Sequence, residues 1–152
     1  MSTAQKTTKN GATRANILLV DDDPEVRNSL GRALESENYR VTTASDGPEA
    51  IEDGNHGQVD LVVLDLNLPG MSGWDVFERL TERNPILPIV IITARTDQYE
   101  LAAAAGVAAI MEKPLSLPTL IETIDRLTNE PTEARLRRMA AHQPILLAAA
   151  SS

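Results

Sequence analysis

From Asn16 onward the chain alternates short apolar runs with stretches of helical periodicity. The runs are Ile17-Leu18-Leu19-Val20, a weaker Arg40-Val41-Thr42-Thr43-Ala44, Leu61-Val62-Val63-Leu64, Ile89-Val90-Ile91-Ile92 and Val107-Ala108-Ala109-Ile110-Met111. Three of them are unbroken Val, Ile and Leu, the composition of strands covered on both faces in a parallel sheet. Between the first two, Val26, Leu30, Ala33 and Leu34 fall at i, i+4, i+7 and i+8, one face of a helix. Further helices are predicted to start near Gly47, Gly73, Asp97 and Leu117. In the second, Pro48 suits the first turn because its φ is already helical. Trp74, Phe77 and Leu80 form the apolar stripe of the third, and Leu117, Leu120, Ile121, Ile124 and Leu127 that of the fifth.

Five strands alternating with five helices predict a (βα)5 three-layer sandwich of the α/β class; a flavodoxin-like parallel sheet in the order 2-1-3-4-5 is one such arrangement, and would make strands one and three neighbours. Residues 1–15 mix Ser, Thr, Lys, Gln, Asn and Gly without a period and read as a flexible N-terminal tail. The domain proper is placed at 16–130, ending where Glu130-Pro131 breaks the pattern. Residues 131–152 form a C-terminal extension, with one short helix over Thr132 to Ala141, a stop at Pro144 and a tail.

Composition narrows the function. Of the 152 residues 42% are hydrophobic but only 3% aromatic, so the core must be aliphatic. A formal charge of −8 argues against direct nucleic-acid binding, which needs a basic surface to displace counterions. There is no Cys, hence neither a disulfide framework nor a thiolate metal site. The apolar runs are only strand-length, so no membrane insertion is expected. No secretory pattern opens the chain, and a cytoplasmic location is the default expectation.

In an open parallel sheet, ligands bind beyond the carboxyl ends of the strands. Asp21, Asp22 and Asp23 stand after the first run, Asp65 and Asn67 after the third, Thr93 after the fourth and Lys113 after the fifth. If strands one and three are neighbours, their carboxylates converge. Two such groups about 4 Å apart repel by roughly 4 kcal/mol at an effective dielectric near 20. The site therefore calls for a cation, and oxygen donors alone call for a hard one; Mg²⁺, which keeps waters and accepts phosphate oxygens, fits better than Ca²⁺. With an ammonium from Lys113 and a hydroxyl from Thr93, the set suits in-line phosphoryl transfer to a carboxylate.

The segments LLVDDDPE, LVVLDLNLPGMSG, IVIITAR and IMEKP, in that order and spacing, resemble the four signature blocks of CheY-like response regulator receiver domains over roughly Asn16 to Asn129. The resemblance implies that Asp65 is the phosphoacceptor. It implies that Asp22 ligates Mg²⁺ directly and Asp21 through water, with the backbone carbonyl of Asn67 and Asp65 itself completing the protein ligands. Thr93 is similar to the family's switch hydroxyl and Lys113 to its phosphate-pairing lysine, with a cis Lys113–Pro114 bond. It further implies a sensor histidine kinase or phosphotransfer protein as donor, and an output protein bound by the face from helix four through strand five to helix five (Asp97 to Asn129).

Plainer readings apply to the other residues. Asp23, directly before Pro24, reads as a helix N-cap. The Ala102–Ala105 run reads as helix propensity. His56, in a loop, and His142, in a tail, read as solvated, and Arg135, Arg137 and Arg138 as a solvated helix face. Where the family commonly has Tyr or Phe, three residues before the lysine, this chain has Ile110. Activation is then expected to rest on Thr93 and loop movement. Arg95, beside the phosphate entrance, is expected to modulate the phosphate's lifetime. A haloacid-dehalogenase-type phosphatase would need a second Asp two residues after the nucleophile, where Asn67 stands. A degenerate receiver that binds without phosphorylation is the remaining alternative. A winged-helix effector would need on the order of 60 further residues, so a stand-alone receiver, or a fragment of a longer chain, is expected.

Overall fold

The computed structural model describes residues 14–140 and 145–147. Its strands are β1 (Asn16–Val20), β2 (Arg40–Ala44), β3 (Leu61–Asp65), β4 (Ile89–Thr93), β5 (Ala109–Glu112) and β6 (Ile145–Leu147). The helices are α1 (Pro24–Ser36), α2 (Gly47–His56), α3 (Gly73–Arg83), α4 (Tyr99–Ala105), α5 (Leu117–Thr128) and α6 (Thr132–Ala140). All neighbouring strands pair in parallel, in the order β2-β1-β3-β4-β5-β6. The first five follow the 2-1-3-4-5 order expected from the sequence.

The two-residue period of the strands sorts the core into two layers. Ile17, Leu19, Leu61, Val63, Val90 and Ile92 face Leu30 and Leu34 of α1 and Leu120, Ile124 and Leu127 of α5. Leu18, Val20, Val62, Leu64, Ile89 and Ile91 face Ala50 of α2, Val76, Phe77 and Leu80 of α3 and Ala102 of α4. Every residue of β3 and β4 is buried, which is why those runs show no polar alternation. β2 is a sheet edge with mixed exposure, hence its weak apolar signal.

Local chemistry fixes the helix starts. Asp23 caps α1 by accepting from the Glu25 amide at 2.9 Å, with Pro24 in the first turn. Asp46, Ser72 and Ser116 cap α2, α3 and α5 in the same way.

Five expectations about elements and their bounds are corrected. Strand five begins at Ala109, not Val107, because Gly106, at φ +81°, ends α4 and the Val107 amide still bonds back to Ala102. Helix four is preceded by a 3-10 turn over Thr96–Gln98, so α4 proper starts at Tyr99. The N-terminal tail is too long by two residues. Arg14 pairs with Asp125 and lies 4.7 Å over the Tyr39 ring, and Ala15 accepts from the Arg40 amide; residues 1–13 lie outside the described residues. His56 ends α2 beside Glu52 instead of lying in a loop; it is exposed as expected, and His142 is outside the described residues. Finally, the extension is not helix and tail alone. After α6, residues 145–147 add the sixth strand to the sheet, while 141–144 and 148–152 are outside the described residues.

Of the basic residues on α6, Arg137 is exposed as expected, but Arg135 and Arg138 are not part of a solvated face. Arg138 grips Glu130 with two hydrogen bonds, 2.7 and 3.1 Å, and both side chains are largely covered. The Arg138 hydrogen bond and charge, joined by Arg135, hold the Glu130 carboxyl below the usual glutamate range. A depressed folded-state pKa stabilises the fold above the unfolded value, near 4.3, and that contribution is lost as pH falls through the folded one. Glu130→Gln is therefore expected to cost about 1 kcal/mol at neutral pH. In urea titrations the difference from wild type should shrink as the medium is acidified through the glutamate range. A pH-independent difference would show that the ionic pair is not its source.

Candidate functional site

Because every strand runs the same way, the ends of β1, β3, β4 and β5 open on one edge of the sheet. Asp21 follows β1, Asp65 ends β3, Thr93 ends β4 and Lys113 follows β5. The β1–β3 and β3–β4 registers place these ends side by side. Carboxylate oxygens of Asp21, Asp22 and Asp65 lie within 4.8 Å of one another, and among the described residues this is the one such cluster of acidic, His or Cys ligands. Asp21 and Asp65 are buried, and Asp22 is exposed.

Each buried carboxylate is held from its own backbone. Asp21 Oδ1 accepts from the Asp23 amide at 2.9 Å, and Asp65 Oδ1 from the Asn67 amide at 2.9 Å. The other Asp65 oxygen accepts from Lys113 Nζ at 3.1 Å. Lys113 is itself set by its amide, which bonds the Thr93 carbonyl at 3.0 Å; the Lys113–Pro114 bond that follows is cis. Burial pushes the Asp21 carboxyl above the ordinary aspartate range; the Asp23 amide opposes this, and the negative charge of Asp65 adds to it. Lys113 offsets part of the repulsion but not all of it. Three carboxylates with oxygen donors only, and with charge left over, are a donor set suited to a hard divalent cation.

Two clefts flank the cluster, and Lys113 lines both. One, of about 400 Å³, runs between α1 and the segment after β5, past Glu25, Val26 and Leu115. The other, of about 380 Å³, opens between Asn67, Trp74, Thr93 and Arg95. Thr93 is buried, and its hydroxyl oxygen accepts from the Arg95 amide at 3.0 Å, leaving its proton free to donate. Ala94 lines this cleft and is exposed. Arg95 is bound by Asp97 through contacts of 2.7 and 3.2 Å and stays exposed. Its guanidinium at the entrance is thus already paired with an acidic neighbour.

The sequence missed two neighbours of the site. Trp74, read as part of an apolar stripe, donates from its indole Nε1 to Gln98 Oε1 at 2.7 Å and so ties α3 to the turn before α4 across the second cleft. Its place in the first turn of a helix that follows the Asp65 loop was the available signal. Gly73, beside it, lets α3 sit directly on that loop: a Cβ there would lie 2.6 Å from the Leu66 Cα. Ile110 is fully buried among Leu64, Ile91 and Ala102.

Comparison with known proteins gives one answer. The family model described as the response regulator receiver domain matches residues 17–125. The transcriptional regulatory protein GlrR of Escherichia coli is 38% identical over 113 residues, 73% of this chain and 26% of GlrR. The response regulator MprA of Mycobacterium leprae is 39% identical over 113 residues, 73% of this chain and 50% of MprA. The chain thus spans half or less of these curated relatives. Among solved structures, the non-phosphorylated HemR receiver domain of Leptospira biflexa is 31% identical with a TM-score of 0.72, covering 78% of this chain and 97% of that one. The response regulator TrrA of Thermotoga maritima, in complex with Mg(2+)-BeF, is 32% identical with a TM-score of 0.69, covering 74% and 98%.

Proposed function

The chain belongs to the response regulator receiver domain family, and from that premise we propose that Asp65 accepts a phosphoryl group from a histidine phosphate. The observation that supports this most is the position of Lys113, with Nζ 3.1 Å from one oxygen of a buried carboxylate that two further acidic residues crowd. The donor is a sensor histidine kinase or a phosphotransfer protein. A carboxylate oxygen of Asp65 attacks phosphorus, the P–N bond breaks, and the imidazole leaves with the electron pair. An acyl phosphate remains on Asp65.

Asp21, Asp22, Asp65 and the Asn67 carbonyl would hold Mg²⁺, as the Mg(2+)-BeF complex of TrrA suggests by similarity. When bound, it supplies the divalent charge that lets three carboxylates and an incoming phosphate share one pocket. The chain's own residues do the rest. Lys113 places a fixed positive charge against the phosphoryl oxygens, and the Thr93 hydroxyl has a proton to donate to one of them. The Asn67 amide fixes the Asp65 rotamer, so little reorganisation is needed at the moment of transfer.

Output is read by a partner protein, in keeping with a net charge that disfavours direct contact with nucleic acid. Buried Ile110 has neither ring nor hydroxyl to expose, so the change of state starts from Thr93 and the adjoining loop. Partner binding by Thr93→Ala that still responds to phosphorylation would refute this.

Trp74 is the chain's single tryptophan and lines the cleft, so its emission reports on the site. Titration with beryllofluoride, a phosphoryl mimic, is expected to change that emission only when Mg²⁺ is present and only while Asp65 is intact. No response from wild type in the presence of Mg²⁺ would point to a receiver that binds without phosphorylation.

A further inference from the structure

β5 has two sides. On the inner side it pairs with β4 over four register positions, Val90↔Ala109 to Thr93↔Glu112, inside the buried core. On the outer side it pairs with β6 over only three, Ala109↔Ile145 to Met111↔Leu147. β6 and α6 come from the segment beyond Glu130-Pro131, outside the part of the chain that the family model matches.

α6 has little apolar attachment. None of its described side chains is buried, and Leu136 is 48% exposed. Polar contacts hold it: Arg138 on Glu130, and Arg135 on the carbonyls of Leu127 at 3.2 Å and Ile86 at 3.4 Å. Segments with few buried apolar contacts open at a small fraction of the global unfolding free energy. A strand edge vacated by such a segment exposes unpaired amides and carbonyls, ready to take another extended chain.

The carboxyl end of β5 is part of the site. The strand runs directly into Lys113, whose side chain reaches Asp65 and whose amide bonds Thr93. A phosphoryl group on Asp65 would come to lie against the Lys113 ammonium, which must shift to make room. The inner pairing is held by the core, so the short outer pairing is the one able to yield.

We propose that β6 is a resting occupant of the outer edge of β5 and that phosphorylation of Asp65 loosens it from that edge. This rests on Asp65 being the phosphoacceptor. By reciprocity, docked β6 opposes loading of the site to the same degree that loading opposes β6.

The test uses the full chain as wild type, as Ile145→Pro/Leu146→Pro, which removes ladder donors from β6, and as Arg138→Ala, which releases α6. Beryllofluoride affinity is measured in Mg²⁺ by Trp74 emission, and amide exchange at residues 109–112 is followed with and without the mimic. Both variants are expected to bind beryllofluoride about five-fold more tightly than wild type. In wild type the mimic itself should speed exchange at β5. Equal affinity in all three proteins, or β5 exchange in wild type that ignores the mimic, overturns the coupling while leaving the phosphoacceptor reading in place. If wild type does not bind beryllofluoride at all, the phosphoacceptor reading falls and the coupling with it. The wild-type exchange measurement needs no substitution, so the outcome does not depend on a variant that folds poorly.

Discussion

Asp65→Asn is expected to leave a folded chain that forms no acyl phosphate, with incorporation from a phosphohistidine donor reduced at least about 10³-fold. The amide is nearly isosteric, so its oxygen can still accept from Asn67 or Lys113, the two partners Asp65 has now. What disappears is the nucleophilic charge. The same change should raise stability in the absence of divalent ions. Asp65 contributes to holding the Asp21 carboxyl above its ordinary range, so removing its charge relieves a repulsion between buried groups. Lys113 loses its hydrogen-bonded anionic partner but remains in the field of the Asp21 charge, and it is about 40% exposed, so the loss there is the smaller term. A net gain of about 1 kcal/mol in urea unfolding with chelator present is expected. A marked loss of stability would mean that Asp65 matters chiefly as the structural partner of Lys113.

Lys113→Ala separates binding from chemistry. Its ammonium sits 3.1 Å from Asp65 Oδ2, where charge on the transferred group develops. Removing one such stabilising contact typically slows a step by about 10²–10³-fold. Mg²⁺ binding should respond in the opposite sense, because a competing cation leaves the carboxylate cluster. The expected result is slow phosphoryl transfer together with Mg²⁺ affinity equal to or tighter than wild type, read by single-turnover transfer and by calorimetry. A parallel loss of both would show that Lys113 holds the carboxylates in place and does not act on the phosphoryl group.

Much of this was legible in the residues because it depended on local, periodic or strand-end features. Short unbroken runs such as Leu61–Leu64 and Ile89–Ile92, alternating with helical patterns, read as buried strands. Once a parallel α/β sheet is inferred, residues just past the runs must share one edge. Asp21, Asp22, Asp65, Thr93 and Lys113 are therefore expected around one edge, and the structure places them around the same carboxylate cluster and its clefts.

Other features depend on partners that no window of sequence shows. The bond from Trp74 to Gln98 spans 24 positions, and the Arg14–Asp125 pair spans 111. Arg135 and Arg138 look like solvent-facing charges in a basic, polar helix until Glu130, at the break before it, folds back to meet them. The three-residue β6 is too short to have a pattern of its own and becomes a strand only because β5 offers an open edge.

By itself, then, the order of apolar and polar residues determined the layered α/β architecture and marked the acidic, hydroxyl and ammonium groups at the strand ends, since these follow from side-chain period and strand direction; the strand order came from the resemblance to a known family. Tertiary structure decided the hydrogen bonds that orient Asp65, the indole clasp beside it and the short strand added to the edge of β5. Each of those is a contact between distant segments, and its free energy exists only after the sheet has brought them within reach.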